Sequence, residues 1–135
     1  MKVSARQSRG RIQRRGDGRF QMATKRVDIF ELPANDAAMV YPGTVYVNRG
    51  DSIDFYNKTG NKATLLVTGV VLDGVVPYEV ENIATGGPHT YTVAQVAADG
   101  IHEYQVLVTL KSGAKVWAVG SSTPRIIIRP SSEVS

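Results

Sequence analysis

Few side chains in this sequence are of types that could do chemistry. His89 follows the Gly-Gly-Pro run at 86–88, and His102 stands two residues before Tyr104. A metal site built on them would need a third ligand and groups that orient the rings. Their settings read instead as one surface histidine and one at the edge of a core. Asp51 and Asp54 lie three apart in an extended stretch, so they point to opposite faces and make no acid–base pair. A turn residue and a solvated strand residue are expected there. Glu79 and Glu81 share a face if the segment around them is extended, as a solubilising pair on an edge strand. There is no cysteine, which excludes disulfides, zinc–thiolate sites and thiol nucleophiles. No Gly-rich phosphate loop, nucleophile elbow or zinc-helix motif occurs. Asn57-Lys58-Thr59 matches a glycosylation acceptor, but nothing in the sequence signals export. The expectation is therefore no catalytic residue, no metal and no cofactor. Trp117, the one tryptophan, leaves two readings open, packing in the core or anchoring a partner interface.

The densest chemistry is charge. Up to Arg26 there are nine basic residues (Lys2, Arg6, Arg9, Arg11, Arg14, Arg15, Arg19, Lys25 and Arg26) against Asp17 alone, while the whole chain carries +4. A strongly basic segment is thus joined to a mildly acidic remainder. Residues 1–23 are rich in Gly, Ser, Gln and Arg, with Ile12 and Phe20 almost the only bulky apolar side chains. Such a composition cannot bury enough surface to offset its ordering entropy, so a flexible arm is expected. Its arginines suit contact with a polyanion or with neighbouring subunits. Nothing in their spacing fits a recognition helix, and base-stacking aromatics are missing apart from Phe20. Two plainer readings remain open: a solvated tail, or an upstream extension with Met22 as the natural start.

Beyond the arm the elements that must position these residues are strands. Stretches at 27–32, 44–48, 51–57, 63–71, 89–93, 101–110, 115–120 and 125–129 are rich in Val, Ile, Thr and Tyr and mostly alternate with period two. Val45 and Val47, Ile53 and Phe55, Tyr91 and Val93, Tyr104 with Val106 and Val108, and Ile126 and Ile128 each form one apolar face. Turn residues punctuate the strands at 42–43, 49–51, 59–61, 73–74, 86–88, 99–100 and 111–113. Only 94–100 offers a short helical turn. With 135 residues and 42% hydrophobic content, this is one all-β domain, an antiparallel sandwich or barrel. It spans residues 24–130, with a short tail at 131–135. No apolar run reaches the roughly 18 residues of a membrane helix, and no apolar stretch follows the basic N-terminus as in a signal peptide. A place in the cytoplasm, or within a particle, is expected, with no membrane partner.

The stretch TVYVNRGDSIDFYNKTGNKATLLV (44–67) resembles the second and third strands of the cupredoxins, the plastocyanin-like blue-copper proteins. In that family an apolar strand, a Gly-Asp turn and an alternating strand ending in Phe-x-Asn lead to a loop with a copper-binding His. DGIHEYQVLV (99–108) is similar to the family's Gly-x-Tyr-x-Tyr/Phe-x-Cys strand, and PRIIIRP (124–130) to its closing strand. The resemblance covers roughly 44 to 130, with 71–88 poorly matched, and it implies a Greek-key β-sandwich. It does not carry the metal site with it. Ala63 stands at the first His position, Val106 at the Cys position and Thr109 near the second His. The methionines, Met1, Met22 and Met39, lie far from the axial position. Blue copper needs two imidazoles, a thiolate and a weak axial donor, so apolar core is expected where ligands would sit.

A non-enzymatic role is the resulting expectation. One reading is a structural or assembly protein, a sandwich subunit of a larger complex or homo-oligomer such as a virus-like particle, its arm draped over neighbours. The other is a module tethered to nucleic acid through phosphates, without sequence readout.

Overall fold

The computed structural model describes residues 22–120 and 123–130. Among these, ten strands form: β1 Thr24–Leu32, β2 Ala37–Tyr41, β3 Thr44–Val47, β4 Ser52–Asn57, β5 Ala63–Val67, β6 Glu81–Ile83, β7 Gly86–Thr92, β8 Gly100–Thr109, β9 Lys115–Trp117 and β10 Arg125–Ile128. One sheet has the order β2-β1-β4-β7 and the other β3-β10-β8-β5-β6, with β9 also paired to β8. The alternation that marks these strands in the sequence sorts their side chains. Ile53 and Phe55, Val45 and Val47, Tyr104, Val106 and Val108, and Ile126 and Ile128 all point into the space between the sheets and are buried. Phe55 sits at the centre, edge-on to Tyr91 and Tyr104 with ring centroids 5.8 and 6.0 Å away. Each such side chain, taken fully from water, contributes about 1.5–3 kcal/mol, and this shared interior holds the two sheets together.

The all-β sandwich expected from the sequence is present, with mixed rather than wholly antiparallel sheets. β1 runs parallel to β4, and β3 parallel to β10. Parallel neighbours cannot be joined by a hairpin. Both pairs are instead linked by chain that crosses between the sheets, as when β2 in the first sheet leads to β3 in the second and then back to β4.

Four local differences have simple causes. β2 is a strand although Ala37, Ala38 and Met39 have little intrinsic β preference. Pairing along β1, from Asp28 opposite Tyr41 to Leu32 opposite Ala37, overrides propensity. β6 is only three residues long and exists through its pairing to β5. β5 stops at Val67 where Thr68-Gly69 turns the chain, and Val71 and Leu72 return to the core by way of a bridge from Leu72 to Val93. The helical turn expected at 94–100 is a reverse turn, closed by Ala97 N–H donating to the Ala94 carbonyl at 3.2 Å.

Candidate functional site

At one end of the sandwich the inward row of β4, Ile53 and Phe55, runs on to Asn57, which is 1% exposed. A buried carboxamide must find partners for two N–H donors and an oxygen with two lone pairs. The 57–62 loop folds so that it does. Asn57 Oδ1 accepts from the backbone N–H of Thr59 at 2.9 Å and lies 2.7 Å from its hydroxyl. Asn57 Nδ2 donates to the carbonyls of Asn61 and Ile83, both at 2.9 Å. The loop is then tied outward, Asn61 Nδ2 donating to the Thr109 carbonyl at 3.1 Å and the Thr85 hydroxyl to the Thr59 carbonyl at 3.0 Å. The apparent glycosylation acceptor is thus a structural knot: the nitrogen a glycan would need is buried and already donates two hydrogen bonds.

Beneath this knot lie the positions where the blue-copper resemblance looks for ligands. Ala63 and Leu65 of β5 stand opposite Val108 and Val106 of β8, and all four are fully buried. Thr109, half-buried, engages the loop through its carbonyl. A copper ion does not fit this set, because Ala63, Leu65, Val106 and Val108 offer only alkyl groups and Thr109 brings no imidazole, thiolate or thioether.

The other candidates are placed apart. His89 belongs to β7 of the first sheet, with Nε2 2.9 Å from the Ala84 carbonyl, and His102 to β8 of the second, with Nε2 2.7 Å from the Ala98 carbonyl. No group of three or more His, Cys, Asp or Glu gathers among the described residues. Asp51 is more than a turn residue. It is buried, and its carboxylate accepts from the N–H groups of Asn48 at 2.8 Å and Ala23 at 3.0 Å, clipping the start of the fold to the β3–β4 turn. Asp54, on the outer face, accepts from the Thr90 hydroxyl at 2.6 Å.

Glu79 and Glu81 are not a solubilising pair. Glu79 lies in a turn, its N–H donating to the Val76 carbonyl, whereas Glu81 in β6 accepts the phenolic O–H of Tyr91 at 2.8 Å. Burial, with that hydrogen bond to Glu81 second, pushes the Tyr91 phenol well above its ordinary range. The sequence offered no sign of this link, since its partners lie on strands of different sheets.

Of the basic candidates, Arg6, Arg9, Arg11, Arg14, Arg15 and Arg19 lie outside the described residues, as does the tail at 131–135. Lys25 and Arg26 are within β1. Arg26 pairs with Asp28 at 2.8 Å and stacks its guanidinium 3.8 Å from the Tyr56 ring centroid, so it is engaged with its own sheet.

Trp117 closes β9, just past the turn from β8. Leu110 N–H donates to the Ala114 carbonyl and closes the turn from β8 into β9, which sets Trp117 opposite Leu107. The chain then swings from the second sheet to the edge of the first. Ala118 N–H donates to the Val106 carbonyl at 2.8 Å, Val119 N–H to Ala38 at 3.2 Å, and Val40 N–H to Val119 at 2.9 Å. This close passage depends on Gly43 and Gly120, where a Cβ on either would collide with the backbone of the other. Ala118 faces inward and is buried, so its neighbours face out: Trp117 is 53% and Val119 47% exposed. The core reading of Trp117 is therefore overturned.

The outward rows continue this surface. Phe30 stands opposite Met39, Met39 bridges to Val119, and Trp117 stands opposite Leu107. Tyr41, 64% exposed, forms one corner. Trp117 and Leu107 thus lie on the outer face of the second sheet, and Phe30, Met39 and Tyr41 on that of the first, where Tyr41 stands opposite Asp28. The outer row of β4 is of another kind, Ser52, Asp54 and Tyr56.

No protein-family model matches the chain, and no curated protein matches it. Solved structures that it resembles are cupredoxins. A pseudoazurin from Sinorhizobium is 18% identical, covering 81% of this chain and 76% of that one with a TM-score of 0.46. The amicyanin of Paracoccus versutus is 11% identical over 78% of this chain and 81% of its own, also at 0.46. A reduced Cu(I) form of an amicyanin variant gives 12%, 78%, 82% and 0.45.

Proposed function

We propose that this chain is a non-enzymatic structural protein, a β-sandwich subunit that works by joining a larger assembly, for which a virus-like particle is one example. The observation that supports this reading is the outward Trp117, exposed beside Val119 and opposite Leu107. Exposed apolar patches of this kind, in register rather than scattered, mark surfaces used for association. In this reading the basic arm contacts neighbouring subunits or a polyanion and gives up its ordering entropy on assembly.

Sedimentation of the full chain, with and without nuclease and at low and high salt, tests the proposal. Self-association that survives both treatments is expected. Species that vanish with nuclease or salt would favour the nucleic-acid tether instead, since phosphate contacts weaken steeply with salt, log affinity falling by about 0.7–0.9 per phosphate for each decade.

A further inference from the structure

We infer that Asp73-Gly74 is a modification site, where aspartate converts spontaneously to isoaspartate in the folded protein, and that the fold protects Asp99-Gly100 from the same reaction. Of the Asp-Gly steps in the chain, these two lie within the described residues, and Asp17-Gly18 lies outside them.

The reaction is an intramolecular acyl transfer. The backbone nitrogen of the glycine attacks Cγ of the preceding aspartic acid and forms an N–Cγ bond, while the amide proton and the carboxyl hydroxyl depart as water. Water then returns to the cyclic succinimide. When it adds at the former main-chain carbonyl, the chain is left running through Cγ, as an isoaspartate with a free α-carboxylate and one extra main-chain carbon. Nothing is oxidised or reduced, and water is the only co-reactant. Glycine permits the attack because it has no Cβ to crowd it. The fold must still leave two groups available: a glycine N–H not otherwise engaged and a carboxyl group able to swing toward it.

The two steps differ on both counts. Asp73 and Gly74 are the central residues of an exposed turn, closed by Val75 N–H donating to the Leu72 carbonyl at 3.2 Å, with Gly74 at φ 82°. Asp73 N–H donates to the Thr92 carbonyl at 2.8 Å, but among the described residues neither the Gly74 N–H nor the Asp73 carboxylate has a partner. Asp99 is exposed as well, yet its carboxylate is held by the Arg49 guanidinium, which also donates through Nε to the Ala97 carbonyl at 2.8 Å. Gly100 opens β8, opposite Ile128 of β10. Tyr104 N–H donates to the Pro124 carbonyl in the same register. Hydrogen-bonded pairs recur at every second residue of an antiparallel ladder, so Gly100 and Ile128 fall in one of them. Exposure does not separate the two steps; hydrogen bonding does.

The consequence lies in one loop. The extra carbon enters between Leu72, bridged to Val93, and the buried Val75. It therefore displaces the turn that leads into the exposed Val76, Tyr78 and Val80.

The test is to age the full chain at physiological temperature, native and in concentrated urea, and to sample both over weeks. Each sample is digested with a protease that cuts before aspartate but not before isoaspartate. Mass spectrometry of the peptides then reads each Asp-Gly step separately. In the native chain, resistance at Asp73 should accumulate at least about tenfold faster than at Asp99, which reacts only after local opening. In urea the two rates should agree within a factor of about three, since no fold remains to protect either. Equal native rates at Asp73 and Asp99 overturn the inference, and so does an Asp73 that converts in urea but stays intact in the native protein. A tenfold difference that persists in urea overturns it too, because neighbouring residues rather than the fold would then set the rates.

Discussion

Two regions of this molecule handle polarity in opposite ways. At the 57–62 loop, polar residues are buried, and the Asn57 carboxamide finds a partner for every donor and acceptor. At Trp117 and Val119, where the chain passes from one sheet to the other, apolar residues are exposed. The first arrangement spends its interactions within one chain: each bond fixes a loop and closes the end of the core. The second leaves free energy to be recovered elsewhere, because apolar area in water is stabilised only when something covers it. On the assembly reading proposed above, stability and association belong to different parts of one sandwich, and substitutions should separate them.

The largest effect should come from the core beneath the knot. Val106 is fully buried against Leu65. Val106→Asp puts a carboxylate where it must be desolvated or protonated without a partner, and should cost several kcal/mol, about 3–5. Val106→Ala should cost about 1–3 kcal/mol through the cavity it leaves. Chemical denaturation measures both. A Val106→Asp chain as stable as wild type would mean that this row does not face the core, and the contrast between the regions would collapse.

A smaller loss is expected at Asn57. Asn57→Ala removes partners from the Thr59 N–H and from the carbonyls of Asn61 and Ile83. Leaving such groups buried and unpaired should cost about 2–4 kcal/mol. Asn57→Asp sharpens the point. Its carboxylate would face two carbonyl oxygens in a buried site, which raises its folded pKa above the ordinary carboxylate value of about 3.9. Stability is then present at low pH, where the protonated acid can donate to a carbonyl, and is lost as pH rises through the raised folded pKa. Melts of this variant from pH 4 to 7 should therefore show falling stability. A flat profile would show that the carbonyls do not depend on the Asn57 donors.

How much of this was legible in the sequence follows the same division. Inward rows such as Ile53 and Phe55, or Tyr104, Val106 and Val108, are readable because a period of two and a buried face constrain residue type at every other position. The replacement of ligand positions by alkyl groups at Ala63 and Val106 was equally plain, since side-chain chemistry is written directly in residue type. The Asn57 knot was not legible. Asn57-Lys58-Thr59 looks like any polar loop, and its meaning depends on where the carbonyls of Ile83 and Asn61 lie. Asp51 looks like a plain turn residue for the same reason: its partner at Ala23 is distant in sequence. Trp117 was ambiguous because β9 is too short for alternation to fix its register. What turns it outward is the crossing of Ala118 and Val119 to the edge of β2, a tertiary event with no local signal.

That crossing sets up the smallest expected effect. If Trp117 serves a partner rather than the core, Trp117→Ser should change the stability of the monomer by no more than about 0.5 kcal/mol, as surface substitutions usually do. Trp117 stands opposite Leu107 on β8, and losing that cross-strand neighbour acts against any gain from removing exposed apolar area. Ala118→Asp is the matching control. It lies one residue along the same segment but faces inward, and it should be severely destabilising. Thermal melts of the two variants at concentrations where wild type is monomeric make the comparison. A loss of several kcal/mol from Trp117→Ser would mean that the indole is holding the two sheets together, and it would then be part of the fold's own stability rather than a side chain kept for a partner.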